Sequence, residues 1–170
     1  MYNLKLVIID TNYCNYLRTL DSRVAYNYGK KDTRPFIGIL FNIGELEYFA
    51  PLYSPKPKHL VMKNTIDFLK IDNGILGAIN FNNMIPVTSK NYILPDLNRK
   101  SKDINEVKYL ILLQKQLIWL NNNLDKVKNK SQKLYKLYIN NKLPLSIKNR
   151  CCNFKLLDKA CKQYNNTKES

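Results

Sequence analysis

The chain has 170 residues, 45% of them hydrophobic, with 28 Lys and Arg against 13 Asp and Glu and a net charge of +15. That length suffices for one domain with a real core, and 12 tyrosines with 6 phenylalanines exclude a wholly disordered chain. No apolar run approaches the ~20 residues that span a bilayer, and Met1 to Asp10 is too short in apolar residues for a signal peptide, so a cytoplasmic protein without a membrane role is expected.

In chain order, Leu4 to Asp10 is apolar and β-branched and reads as a strand. Thr11 or Asn12 can cap a short helix whose apolar face carries Tyr13, Tyr16, Leu17 and Leu20. Ala25 to Thr33 reads as a polar loop, and Phe36 to Phe41 as a buried strand. Asn42-Ile43-Gly44 is a turn, and Leu46 to Leu52 is the returning strand of a β-hairpin.

The hairpin delivers the chain to Tyr53-Ser54-Pro55-Lys56-Pro57-Lys58-His59, a turn stiffened by prolines that bias their preceding residues toward extended backbone. Shorter strands follow at Ile66–Ile71, Ile75–Phe81, Met84–Val87 and Tyr92–Leu94, separated by Asp72-Asn73-Gly74 and Asn82-Asn83.

From Asp103 the period changes, predicting a helix of about 25 residues through Val127. Ser131 can cap a second helix through Leu143, and Phe154 to Cys161 suggests a third after a loop at Pro144–Asn153. Without repeats or a clear linker, residues 1–170 read as a single α+β domain. It is expected to hold a mostly antiparallel sheet braced by helices, with 165–170 as a flexible polar tail.

Both parts of the chain are basic: residues 1–100 carry 13 Lys and Arg against 8 acids, and residues 101–170 carry 15 against 5. Such an excess favours a polyanion through counterion release, which points to nucleic acid. Cys14, Cys151, Cys152 and Cys161 form no CxxC pair, and His59 is the single histidine, so no zinc-ligand set exists. Reduced, partly buried thiols and no metal or other cofactor are expected.

RNA can be cut without a metal if a protein aligns the ribose 2′-OH with the adjacent phosphorus, moves its proton and stabilises the phosphorane. Ser54, Lys56, Lys58 and His59 supply hydroxyl, cations and imidazole for that chemistry, although a serine before proline is also an ordinary turn residue. Arg34 starts the Phe36 strand and, through the hairpin, is expected at the same end of the sheet as Ser54. It can hold a phosphate bidentately or form a rim salt bridge to Asp32 or Asp21.

Tyr13 and Tyr28 are candidates to stack on unpaired bases, whereas Tyr16 reads as core. Tyr53, Lys30 and Lys31 extend the candidate RNA-contacting set. Lys126, Lys128, Lys130, Lys133 and Lys136 form the densest basic run, either a solvated helix face or a phosphate-backbone surface.

Several separated segments together resemble the ToxN/AbiQ family. They are Phe36-Ile37-Gly38-Ile39, Tyr48 through Lys56, Gly77-Ala78-Ile79-Asn80-Phe81 with Met84-Ile85-Pro86-Val87, Leu113-Gln114-Lys115-Gln116-Leu117, and Cys152-Asn153-Phe154-Lys155-Leu156-Leu157. The resemblance implies a type III toxin–antitoxin toxin used in abortive infection. It would be a metal-independent endoribonuclease with a strongly curved antiparallel sheet akin to the Kid/MazF toxins.

It further implies cleavage of single-stranded, often adenine-rich cellular or phage RNA to 2′,3′-cyclic phosphate and 5′-hydroxyl ends. The implied partner is a repetitive RNA antitoxin whose repeats fold as pseudoknots, closing with the toxin into a ring-like assembly, its precursor processed by the toxin. By position the resemblance assigns catalytic roles to Ser54, Lys56, Arg34 and Tyr13. Tyr53 stands where the family often has Thr or Ser, and Arg34 where it often has Lys. The alternative from the residues is a non-catalytic basic RNA-binding protein.

Overall fold

The computed structural model describes residues 3–25 and 34–167. Along them run β1 (Lys5–Ile9), α1 (Thr11–Leu20), β2 (Pro35–Gly38), β3 (Asn42–Ile43), β4 (Leu46–Tyr53), α2 (Pro57–Val61) and β5 (Phe68–Lys70). Then come β6 (Ala78–Asn80), β7 (Ile85–Val87), β8 (Tyr92–Ile93), α3 (Ile104–Asn122), α4 (Leu124–Ile139), α5 (Leu145–Lys148) and α6 (Phe154–Thr167). Strands occupy the first part and the longer helices the second, so an α+β fold results, as expected.

Every strand pairing is antiparallel, in the order β5-β6-β4-β2-β1-β8, with β3 and β7 also paired to β4. The long β4 is the spine of the sheet. On one edge it pairs first with β3 and then with β2; on the other it passes from β7, at Glu47 to Phe49, to β6, at Leu52 and Tyr53. Pro51 stands at that second handover, where a missing ladder donor costs least. The predicted hairpin is present, and its connection contains a short strand, β3, before the Gly44-Glu45 turn.

Helix boundaries follow side-chain competition for backbone groups. Asp10, rather than Thr11 or Asn12, caps α1, its Oδ1 accepting from the Tyr13 amide at 2.8 Å. The single long helix predicted through Val127 is two helices, because Asn123 leaves helical geometry at φ −117° and ψ 28°. Its side-chain amide donates to the Trp119 carbonyl at 2.8 Å, competing with the main-chain ladder. Ser131 therefore does not start a helix; it is buried within α4 and bonds back to the Lys128 carbonyl. The Pro144 loop contains the short α5, and α6 continues through Asn165 to Thr167, where a tail was expected.

The core lies between the sheet and α1, α4 and α6. Its centre is aromatic: Tyr48 stacks on Phe41 with centroids 4.6 Å apart, and Phe154 packs 4.8 Å from Tyr138 and 5.7 Å from Tyr135. The carboxylate of Asp158 accepts hydrogen bonds from the hydroxyls of Tyr48 and Tyr135, which satisfies both phenols and ties α6 to β4 and α4. All four cysteines are buried and none forms a disulfide, and burial pushes the thiols of Cys151 and Cys152 up to about 12. They are packing residues rather than reactive groups.

Candidate active site

Ser54 and Lys56 follow β4 directly, and the backbone that carries them is extended as the prolines require. Lys56, before Pro57, has φ −137° and ψ 148°, and Pro57 opens α2, where its fixed φ suits a first helical turn. Antiparallel pairing of Phe36 with Pro51 and Ile37 with Ala50 carries Arg34 opposite Tyr53. The guanidinium of Arg34 accordingly sits over the Tyr53 ring, 4.9 Å from its centroid. The expectation that Arg34 and Ser54 share one end of the sheet agrees with this geometry.

These residues form one wall of a cleft of about 790 Å³ lined by Arg34, Tyr53, Ser54, Lys56, Arg99 and Tyr109, with Asp103 and Glu106 at its rim. The second wall is the start of α3, whose place there no local sequence pattern indicates. Its two acids are engaged locally. Asp103 caps α3 by accepting from the Asn105 amide at 2.9 Å, and Glu106 accepts from Ser101 and from Arg99 Nε at 2.9 Å. The Ser101 hydroxyl and the Arg99 guanidinium hold the Glu106 carboxyl below its ordinary range.

Among the described residues neither Arg34 nor Lys56 is in an ion pair with a carboxylate. Two uncommitted cations thus flank an exposed hydroxyl, an arrangement that suits an anion with several oxygens. Burial raises the phenol of Tyr109, a tendency opposed by the nearby Arg34 and Arg99 charges. At neutral pH that phenol is a hydrogen-bond donor facing the cleft. No group of three His, Cys, Asp or Glu among the described residues could hold a metal ion.

Two expectations need correction. Tyr13 does not reach the cleft: its ring is fully buried, and its hydroxyl donates to the Pro86 carbonyl at 2.6 Å. Tyr16 is the more exposed of the pair, the reverse of the reading from helix period, although the Tyr164 ring of α6 packs against both, 5.1 Å from Tyr13 and 4.9 Å from Tyr16. His59 is likewise not a surface contact for RNA. It is 3% exposed, lies 6.0 Å from the Phe68 ring, and backs onto Gly74. A Cβ at Gly74, whose φ is +95°, would sit 2.4 Å from the His59 carbonyl oxygen.

Burial first, then Lys58 and Lys56, lowers the pKa of His59 from 6.5, so the fold favours the neutral ring. Its contribution to stability is whole above that ordinary value and is lost as pH falls below it. The melting temperature should therefore drop as pH falls below about 6.5, and His59→Gln should flatten that drop. Asp21 and Asp67, held low by Arg23 and Arg150, should add their own loss only nearer pH 4. An unchanged profile in the variant would exclude His59 as the titrating group.

Lys58 is exposed on α2, beside the cleft turn in sequence. Tyr28, Lys30 and Lys31 lie outside the described residues. On α4, Lys126, Lys130, Lys133 and Lys136 fall within about a third of the helix circumference, whereas Lys128 points away, beside Glu47 and Phe41. Burial, then the Lys126 charge, lowers the pKa of Lys130, with Lys133 adding to it and Asp67 opposing. This is a cationic face of four lysines rather than five.

The model of the toxin ToxN family of type III toxin–antitoxin systems matches residues 5–162, a span that includes both walls of the cleft. Endoribonuclease ToxN of Bacillus thuringiensis subsp. kurstaki is 32% identical over 166 residues, covering 95% of this chain and 84% of that protein. Endoribonuclease AbiQ of Lactococcus lactis subsp. lactis is 27% identical over 172 residues, covering 95% and 89%.

Among solved structures, a type III toxin described as selectively inhibited by a non-coding RNA pseudoknot aligns with a TM-score of 0.80 at 31% identity, covering 96% of this chain and 99% of that one. AbiQ, a lactococcal anti-phage endoribonuclease, aligns with a TM-score of 0.81 at 26% identity, covering 97% and 99%. With the family match running through nearly the whole chain, this protein belongs to the ToxN toxin family of type III toxin–antitoxin systems.

Proposed function

We propose that this chain is an endoribonuclease toxin that cuts single-stranded, adenine-rich RNA by attack of a ribose 2′-OH on the adjacent phosphorus. The O2′–P bond forms and the P–O5′ bond breaks, leaving a 2′,3′-cyclic phosphate and a 5′-hydroxyl. One proton leaves the 2′-OH and one arrives at O5′. The observation that carries this reading is the pair of cations, Arg34 and Lys56, in no ion pair among the described residues, flanking the exposed Ser54 hydroxyl in one cleft.

Ser54 orients the 2′-OH by hydrogen bonding, while Arg34 and Lys56 neutralise charge gathering on the phosphorane oxygens. The Tyr109 phenol donates to the same oxygens or to the leaving O5′. The half-exposed Tyr53 ring beneath Arg34 offers an aromatic surface for a base at the cleft. The partner is a repetitive RNA antitoxin with pseudoknot repeats, gripped by the lysine face of α4 and closed with the toxin into a ring; relatives inhibited or regulated by non-coding RNA support an RNA partner.

Incubation of the purified protein with adenine-rich RNA in excess EDTA tests the chemistry. Fragments ending in cyclic phosphate are expected at the metal-replete rate. RNA bound but left intact would favour the non-catalytic reading, and cleavage lost in EDTA would overturn metal independence.

A further inference from the structure

Among the described residues no hydrogen bond holds the Ser54 hydroxyl, and Pro55 follows it, so its aim depends on the backbone that carries it. That backbone is gripped from two sides. From one side comes Gly77, at φ +102°, so close that a Cβ there would lie 2.0 Å from the Tyr53 carbonyl oxygen and 3.1 Å from the Ser54 carbonyl carbon. From the other comes Gln116 of α3, 1% exposed, whose Nε2 donates to the Leu76 carbonyl at 2.7 Å and reaches the Tyr53 carbonyl at 3.5 Å.

One amide group therefore ties the last residue of β4 to the residue before Gly77. Its other atom, Oε1, is buried without a partner among the described residues. A buried amide with an unpaired acceptor is costly, and leucine would satisfy α3 packing without that cost.

We propose that Gln116 is a positioning residue of the RNA-cleaving site, holding the Tyr53–Ser54 backbone against the Gly77 turn so that the Ser54 hydroxyl meets the scissile 2′-OH. The proposal rests on the reading of the cleft as a ribonuclease site. Gln116 touches no substrate; it acts through the backbone of residues 53 and 54. The same α3 that lines the outer wall of the cleft with Tyr109 thus fixes the floor of the opposite wall two turns later.

The test is steady-state cleavage of a short adenine-rich RNA by Gln116→Leu and by Gln116→Met, with Asn121→Leu as control. Asn121 also sits on α3 and also binds a distant main chain, but at Leu4, at the start of β1 and away from the cleft. Wild-type protein must cleave, or the ribonuclease reading itself fails. Given that, kcat of either Gln116 variant is expected to fall about tenfold with KM within about twofold, since an ångström-scale shift of a reacting group costs up to about a hundredfold.

Asn121→Leu should lose stability but keep kcat per folded molecule. Losing the orphan acceptor offsets losing the Leu76 bond, so the melting temperature of Gln116→Leu should stay within about 4 °C of wild type. An unchanged kcat, or kcat and KM altered together, would overturn the positioning role. So would failure of both Gln116 variants to fold, which would make the residue a structural necessity.

Discussion

Ser54→Ala is expected to lower the single-turnover rate of RNA cleavage by about 10²–10³-fold and to abolish growth inhibition, with antitoxin RNA still bound. The loss follows from geometry. Ser54 is exposed, directly follows β4 and makes no side-chain hydrogen bond among the described residues, so removing the hydroxyl disturbs no buried contact. Lys56→Ala should cost a similar factor in rate with the same retained fold, since Lys56 is exposed and its side chain makes no cap on α2.

Arg34→Lys is the sharper comparison. It keeps the charge but loses both the planar fork and the stacking over Tyr53, so an intermediate rate is expected rather than the alanine-like one. Gel assays of cleavage beside filter binding of the antitoxin separate the outcomes. Wild-type cleavage by Ser54→Ala would remove that residue from the chemistry and move attention to Tyr109.

The largest loss of stability is expected from Phe154→Ala. Phe154 is fully buried at the start of α6, in ring contact with Tyr48, Tyr135 and Tyr138. Truncating such a side chain removes its burial and leaves a cavity, together costing about 3–5 kcal/mol. The rigid neighbours cannot collapse into the space. Tyr48 and Tyr135 are held by Asp158, and Asn153 beside the cavity is held by Asp21, whose carboxylate accepts the Asn153 amide at 2.6 Å.

In urea the midpoint should fall with little change in slope, and thermal melting should drop by on the order of 10 °C for a chain of this size. A loss below about 1 kcal/mol would mean that the aromatic layer repacks, contrary to the tight ring geometry. Cleavage per folded molecule should be unaffected, because Phe154 lies in the layer between sheet and helices and not at the cleft.

Much of this architecture was legible in residue order because it rests on local chemistry. The β2–β4 hairpin followed from apolar runs on either side of a Gly44 turn, and once that hairpin was drawn, Arg34 and Ser54 had to share an end of the sheet. The prolines at 55 and 57 specified an extended, stiffened turn, although the short helix that starts at Pro57 was not read from them. Basic charge and the ordered segments from Phe36 to Leu157 pointed to an RNA-directed toxin.

What could not be read was which side of an element the rest of the molecule would cover. Tyr13 and Tyr16 share the same helix and the same α6 neighbour, Tyr164, yet only Tyr13 is fully buried, its hydroxyl bonded to the Pro86 carbonyl of β7. His59 looked available because Lys56 and Lys58 precede it in a polar turn, yet the turn at Gly74 closes over it. Arg99, Tyr109 and Gln116 reach the Ser54 turn across more than 40 positions of chain, a separation that carries no periodic signal.

The Ser54 turn, its flanking cations and the strands that carry them were thus determined by the sequence alone, since backbone restriction and register act between near neighbours. The second wall, the floor beneath Ser54 and the burial of Tyr13 and His59 were decided by tertiary packing. Burial depends on which distant surface excludes water from a side chain, and that surface exists only once the helices have closed on the sheet.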